Sequence, residues 1–331
     1  MTRLRAYFFK LLFHLRLGHI LLKLNRNKNQ VPVLVFHKII PEFDSAWPGI
    51  HPHLFEDILI LLKKHYTILP ITDLFSKPIS ELQNACFITF DDGYKDYLDY
   101  AYPILKKHNI PSSIFVLPHQ ISNNGCIWTS AVTFFVKHYP FSEISEFLKQ
   151  HSIIISDNNR LDFFKLNLEI TKLLCAMIHA DRTRIINDLR NKFIEDNRII
   201  EDELLSFDEL RKLDPSLTHI GSHSLTHPSF KKETDLSFID AELKESKAII
   251  ERELNREVTS FAFPFANYDD TSINAARKVY KLCFTGLNKF IDLVEFKTNP
   301  LAAHDLKRFN IHQDSAEEVF FLINGFHNKL R

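Results

Sequence analysis

The chain has 331 residues, 45% of them apolar and 12% aromatic, which is enough to bury a large core and too hydrophobic for a disordered polymer. Its 41 basic and 41 acidic side chains cancel, which argues against a whole-surface nucleic-acid footprint and makes nucleic acid an unexpected partner. A length above 300 residues suits one α/β domain of roughly 250 residues carrying an insertion and a tail.

The first thirty residues, MTRLRAYFFKLLFHLRLGHILLKLNRNKNQ, hold seven Lys or Arg residues and no acid. Lys10, His14 and Arg16 interrupt the apolar run before it reaches the roughly 18 residues of a membrane span. The segment also lacks the clean apolar centre and small-residue cleavage site of a signal peptide. Residues 1–30 are therefore expected to form a basic amphipathic segment, with Phe8, Leu11, Leu12, Leu15 and Leu22 among its apolar residues. Two readings are open: a helix lying on an anionic membrane surface, or a core-packing helix with a solvated basic face.

Beyond Gln30 short apolar runs alternate with helical patterns. VPVLVFH (31–37), CFITF (86–90), SSIFVL (112–117), LTHIGSH (217–223) and TSFAFPF (259–265) have strand length and β-branched or aromatic content. Residues 55–65, 97–108 and 235–254 carry apolar residues at helical spacing between them. Strands alternating with helices predict parallel βα units closing into a barrel, with chemistry at the carboxyl ends of the strands. Residues 121–206 break the rhythm and read as a mostly helical insertion, a wall or lid beside the site, within a domain of residues 31–331. Cys86, Cys126, Cys175 and Cys283 lie far apart with no CxxC, as reduced, mostly buried thiols of a cytosolic protein do.

Chemistry-bearing residues stand where strands end. In CFITFDDGY an apolar run meets Asp91 and Asp92, and Gly93 then allows a tight backbone path. In GSHSLTH the spacing of His223 and His227 puts two imidazoles on one side of a helical turn or a loop like it. One carboxylate and two imidazoles make a three-ligand catalytic zinc set with an open position for water. Each motif alone is as compatible with a solvated loop or a surface histidine pair as with metal. An Asp-x-Asp phosphatase pattern loses ground because Gly93 stands two residues after Asp91.

TFDDG, GSHSLTH and FAFPFANY in this order, flanked by VPVLVFHKI and HDLKRFNI, resemble the polysaccharide deacetylase family, the NodB-homology domain of carbohydrate esterase family 4. The resemblance runs over about residues 31–311, apart from the helical insertion. It implies an α/β fold, a distorted (β/α) barrel of the NodB-homology type, with the mostly helical insertion and the N-terminal basic amphipathic helix as additions. It also implies a divalent metal, usually Zn2+, and hydrolysis of the N-acetyl group of a sugar.

Residue by residue, the resemblance makes Asp91 the general base and Asp92, His223 and His227 the metal ligands. The N–H of Phe265, after Pro264, becomes an oxyanion donor. Many members have an arginine where this chain has Ala262, and Arg308 on the late strand is the matching replacement. The family's late Leu-x-His is not cleanly present; His37 is the preferred pocket histidine and general acid, ahead of His304 and His312. Asn267 and Tyr268 are expected to line the sugar site, and Trp47 and Trp128 either stack on a sugar or pack in the core. The expected substrate is an N-acetylated glycan or a lipid-linked polysaccharide precursor, handled in the cytoplasm at the inner face of a bacterial membrane. The alternative is a catalytically silent relative that only binds glycan.

Overall fold

A computed structural model describes residues 2–15, 27–123, 125–193 and 202–325. Seven parallel strands form a closed ring: β1 (Val33–Phe36), β2 (Ala85–Phe90), β3 (Ser112–Val116), β4 (Thr218–Ser222), β5 (Ser260–Ala262), β6 (Leu282–Leu287) and β7 (Leu306–Asn310). Consecutive strands from β2 to β7 are neighbours, and β1 closes the ring by pairing with both β2 and β7. All six residues of β2 are buried, the continuous apolar run expected of a parallel strand covered on both faces. The ring confirms the distorted (β/α) barrel.

The sequence reading missed β6. Its run LCFTGL contains Gly286, which weakens a strand signal, yet glycine is suited to the place. A Cβ there would lie 2.3 Å from the Lys307 side chain on β7, its register partner.

Helices cover the ring. They include α1 (Thr2–His14), α2 (Pro52–His65), α3 (Tyr102–His108), α4 (Trp128–His138), α5 (Phe141–Gln150), α6 (Phe163–Cys175), α7 (His179–Phe193), α8 (Leu236–Leu254) and α9 (Ala316–Leu322). The helix expected over 97–108 starts as a π-helical turn, Tyr97–Ala101, where the buried Tyr97 hydroxyl meets those of Ser112 and Thr218 at 2.9 and 2.8 Å. Helices α4 to α7 lie between β3 and β4 and bury an apolar cluster of their own around Phe135, Phe147, Leu166, Ile170 and Leu189.

Helix α1 packs on the core through one set of apolar side chains and exposes another. Phe9 and Phe13 pack on Phe321 and Phe320 of α9 with ring centroids 5.2 and 5.5 Å apart. Tyr7, Phe8, Leu11 and Leu15 remain exposed. Leu22 lies outside the described residues. Among the described residues no helix is long and apolar enough to cross a membrane.

Gly221 tests the packing beneath the site. A Cβ there would stand 2.5 Å from the Phe115 ring and 2.6 Å from Ser260 Oγ. Gly221→Ala should cost about 1–3 kcal/mol, the usual range for overpacking a filled core, measured as a lower urea midpoint with unchanged slope. An unchanged midpoint would mean that the Phe115 ring moves aside freely.

Candidate active site

The open end of the barrel is organised by two carboxylates with different partners. Asp91 and Asp92 follow β2 and are both buried. Arg308, on β7, reaches across β1 and donates to both oxygens of Asp91, NH1 to Oδ1 and NH2 to Oδ2, each at 2.7 Å. The guanidinium also lies 5.6 and 5.4 Å from the ring centroids of Phe115 and Phe284, and its delocalised charge tolerates such aromatic walls. Burial would raise the Asp91 carboxyl, but the Arg308 charge, aided by His223, holds it below the ordinary 3.8.

Asp92 turns the other way, toward two imidazoles. Its Oδ1 is 3.4 Å from Nε2 of His223 and 3.4 Å from Nε2 of His227. His223 Nδ1 is 2.8 Å from the Ala262 carbonyl, a contact only an N–H can make, so in the neutral ring the lone pair is on Nε2 and faces Asp92. Burial is the largest influence on both histidines. It keeps His227 down at about 4, whereas Asp91 and Asp92 outweigh it at His223 and raise that imidazole above 6.5.

The two histidines do not share a helical turn. His223 to His227 is a loop with positive φ at Ser224 (75°) and His227 (63°), a conformation that L side chains adopt at a cost. Three side chains hold it. The buried Glu242 of α8 accepts the N–H groups of Leu225 and Thr226 at 2.8 and 2.9 Å. Ser224 Oγ accepts the His227 N–H at 3.1 Å, and Trp128 Nε1 donates to the His227 carbonyl at 2.9 Å.

The donor set fits a divalent cation. Asp92 Oδ1 is buried without a hydrogen-bond donor among the described residues, and the three ligand atoms of Asp92, His223 and His227 lie within 4.8 Å of one another. A tetrahedron with ligands about 2.0–2.1 Å from its centre has edges of about 3.4 Å, which matches both Asp92–histidine separations. One carboxylate and two imidazoles are a zinc-type set that leaves a position open.

A polysaccharide deacetylase family model matches residues 80–153 and 189–280, together about half of the chain. The chain belongs to the polysaccharide deacetylase family. The putative polysaccharide deacetylase YxkH of Bacillus subtilis is 27% identical over 147 residues, 42% of this chain and 45% of that protein, so the match spans under half of the relative's length. Among solved structures, the Streptococcus pyogenes deacetylase PplD in complex with acetate aligns with TM-score 0.58 at 17% identity, covering 89% of this chain and 98% of that one. IcaB from Ammonifex degensii gives 0.56 at 16%, covering 89% and 97%. At these identities the likeness is one of fold.

A cavity of about 640 Å3 lies over the family motifs and is lined by Asp91, Asp92, His223, His227 and Arg308. His37, Trp47, Phe265 and Asn267 line it too, whereas Pro264 is buried behind Phe265. Phe265 and Ala266 have positive φ, 58° and 53°, which sets the turn of the loop after β5. The Asn267 side-chain amide donates to Ser229 Oγ at 2.7 Å, tying this loop to the histidine loop.

Other site residues lie elsewhere, Tyr268 against expectation. Tyr268 is not part of the cavity wall: its ring packs on Phe263, and its hydroxyl meets Asp305 and Lys307, both at 3.1 Å. His304 bonds the Tyr280 carbonyl and His312 is exposed; neither lines the cavity. Trp128 is no sugar platform, because its indole is buried between His227 and Phe265. Sequence reasoning did not anticipate Trp128 and Glu242 as braces of the histidine loop. The one available signal was an acid, Glu242, on the inward stripe of a predicted helix.

Arg308→Ala should destabilise the protein by about 3–5 kcal/mol, since it leaves a buried carboxylate uncompensated. The lowered Asp91 pKa means that the wild-type pair contributes fully above the ordinary 3.8 and fades as the pH falls through the folded-state value. The variant's deficit should therefore shrink as acid protonates its Asp91. Denaturant melts from neutral to acid pH check this; a constant, small deficit would place the arginine outside the energetics of the pair.

Proposed function

We propose that the protein is a metal-dependent N-deacetylase of an N-acetylated sugar, borne on a glycan or a lipid-linked polysaccharide precursor. The supporting observation is the division of labour between adjacent buried aspartates, one locked to Arg308 and the other facing two imidazoles. Asp92, His223 and His227 would hold the cation. A divalent cation there, zinc by its donor set, would polarise the acetamide carbonyl and acidify the attacking water.

Asp91 is the general base. It is ionised at neutral pH, and its Oδ2 lies 3.9 Å from His223 Nε2, beside the metal position. As water oxygen bonds to the acetamide carbon, Asp91 takes its proton and the Phe265 N–H stabilises the oxyanion. The carbon–nitrogen bond then breaks, and the amine leaves with a proton from His37, a histidine of the cavity wall. Arg308 orients the base in place of the arginine absent at position 262. The products are acetate and a free amino sugar. A silent glycan-binding relative would need no ionised base beside a metal set.

Acetate release across N-acetylated sugars, oligosaccharides and lipid-linked precursors, with and without zinc, tests the activity. Asp91→Asn should keep its metal and lose about 10²–10⁴-fold in turnover, whereas Asp92→Asn should lose metal and activity together. Loss of metal in both variants would make both aspartates ligands and overturn the mechanism.

We further propose a cytoplasmic protein that touches the inner membrane face through α1. Tyr7, Phe8, Leu11 and Leu15 are exposed on a helix in a segment without acids, the pattern of an interfacial helix. Phe8→Glu with Leu11→Glu leaves Phe9 and Phe13 in place. It should abolish sedimentation with vesicles containing anionic lipid; equal binding by variant and wild type would remove the membrane contact.

A further inference from the structure

Three lysines line the catalytic cavity and stand exposed: Lys172 on α6, and Lys231 and Lys232 in the turn after the histidine loop. None forms an ion pair with the described residues. Among the described residues, every carboxylate in the cavity wall is already engaged. Asp91 belongs to Arg308, Asp92 to the imidazoles, and Asp202 to Lys38 at 2.5 Å. The acids next to Lys232 in sequence are engaged as well: Glu233 accepts the His179 N–H, and Asp235 caps α8 through the Ser237 N–H at 2.8 Å. In a chain of zero formal charge, the cavity thus holds a local cationic surplus, before any metal is counted.

We infer that the substrate carries a phosphate or diphosphate ester on the deacetylated sugar or its immediate neighbour, gripped by Lys172, Lys231 and Lys232. The inference rests on the sugar-deacetylase reading above and narrows its substrate class. Lys231 is four residues from His227, at most about 14 Å of extended chain. A cavity of about 640 Å3 also falls among those that enclose a small ligand, roughly 300–1,000 Å3. The anion therefore lies within a sugar or two of the scissile amide. The kind of cation points to the kind of anion. Planar carboxylates favour the bidentate fork of arginine, and the one arginine among the described wall residues is committed to Asp91. Three ammonium groups on flexible stems act as point charges that suit a phosphate approached from several sides.

The test uses the zinc-loaded full-length protein and four probes: methyl N-acetylglucosaminide, N-acetylglucosamine 1-phosphate, its uridine diphosphate ester and its polyprenyl diphosphate in detergent micelles. Calorimetric binding and acetate release are read separately. The three phosphorylated probes should bind at least about tenfold tighter than the neutral glycoside, the yield of a few exposed charge pairs, with the gain in KM. The preference should fade toward 1 M salt, where screening acts over about 3 Å, and collapse in Lys172→Gln/Lys231→Gln/Lys232→Gln. Preference for all three phosphorylated probes identifies the phosphate as the gripped group. A preference confined to the polyprenyl ester would assign it to the lipid and overturn the inference. Equal binding of neutral and phosphorylated probes, or a preference that survives in the triple variant, would also overturn it. Lysine-dependent binding without acetate release from any probe would leave the phosphate site standing and remove the deacetylase reading.

Discussion

The bidentate pair between Asp91 and Arg308 is the contact on which the arrangement of the site depends. Both partners are about as deeply buried as core side chains, where an unpaired charge would be prohibitively costly. They come from strands β2 and β7, on either side of β1, so the pair spans the seam at which the barrel closes. With both oxygens committed to the guanidinium, Asp91 is held in one orientation, and only Asp92 can present an unbonded oxygen to the imidazoles. Two adjacent carboxylates escape mutual repulsion because each has a cationic or cation-binding partner of its own.

Around this pair the backbone is bent into conformations that ordinary strands and helices avoid. Asp92, Ser224, His227, Phe265 and Ala266 all have positive φ, and all lie in or next to the three loops that carry the site. Such strain persists only where neighbours over-determine it. Glu242 spends its carboxylate on backbone N–H groups of the histidine loop, and Trp128 fixes the His227 carbonyl. The Ala262 carbonyl fixes the His223 ring. Position 262 thus still serves the site through its backbone, though it lacks the arginine side chain common in the family.

What was legible in the sequence follows from how local each determinant is. Buried parallel strands such as 86–90 show as unbroken apolar runs, and the paired carboxylates and imidazoles show because polar residues interrupt those runs at strand ends. Arg308 was legible only through the family resemblance, since nothing local distinguishes a strand arginine that pairs 217 residues away. Strand β6 was missed because Gly286 breaks its pattern for a reason visible only across the sheet, the passage of the Lys307 side chain. Tyr268 was misassigned because its neighbour Asn267 does line the cavity; the chain turns between them, and Asp305 and Lys307, distant in sequence, capture the hydroxyl.

The helical insertion is a structural part of the site as well as its wall. Arg182 of α7 is 1% exposed, and its guanidinium sits 5.1 Å over the Trp128 ring that braces His227. Its NH2 reaches His179 Nδ1 at 3.1 Å, and burial together with this cation keeps His179 down at about 4, hence neutral and able to accept. The His227 loop of the barrel is therefore positioned through an indole and a buried cation that both belong to the insertion. Residues 154–188, which include Asn167 and Arg182, fall between the two segments matched by the family model. The matched segments thus supply the carboxylates, the imidazoles and the Trp128 and Glu242 braces, while outside them Arg182 backs the Trp128 ring and Asn167 lines the cavity.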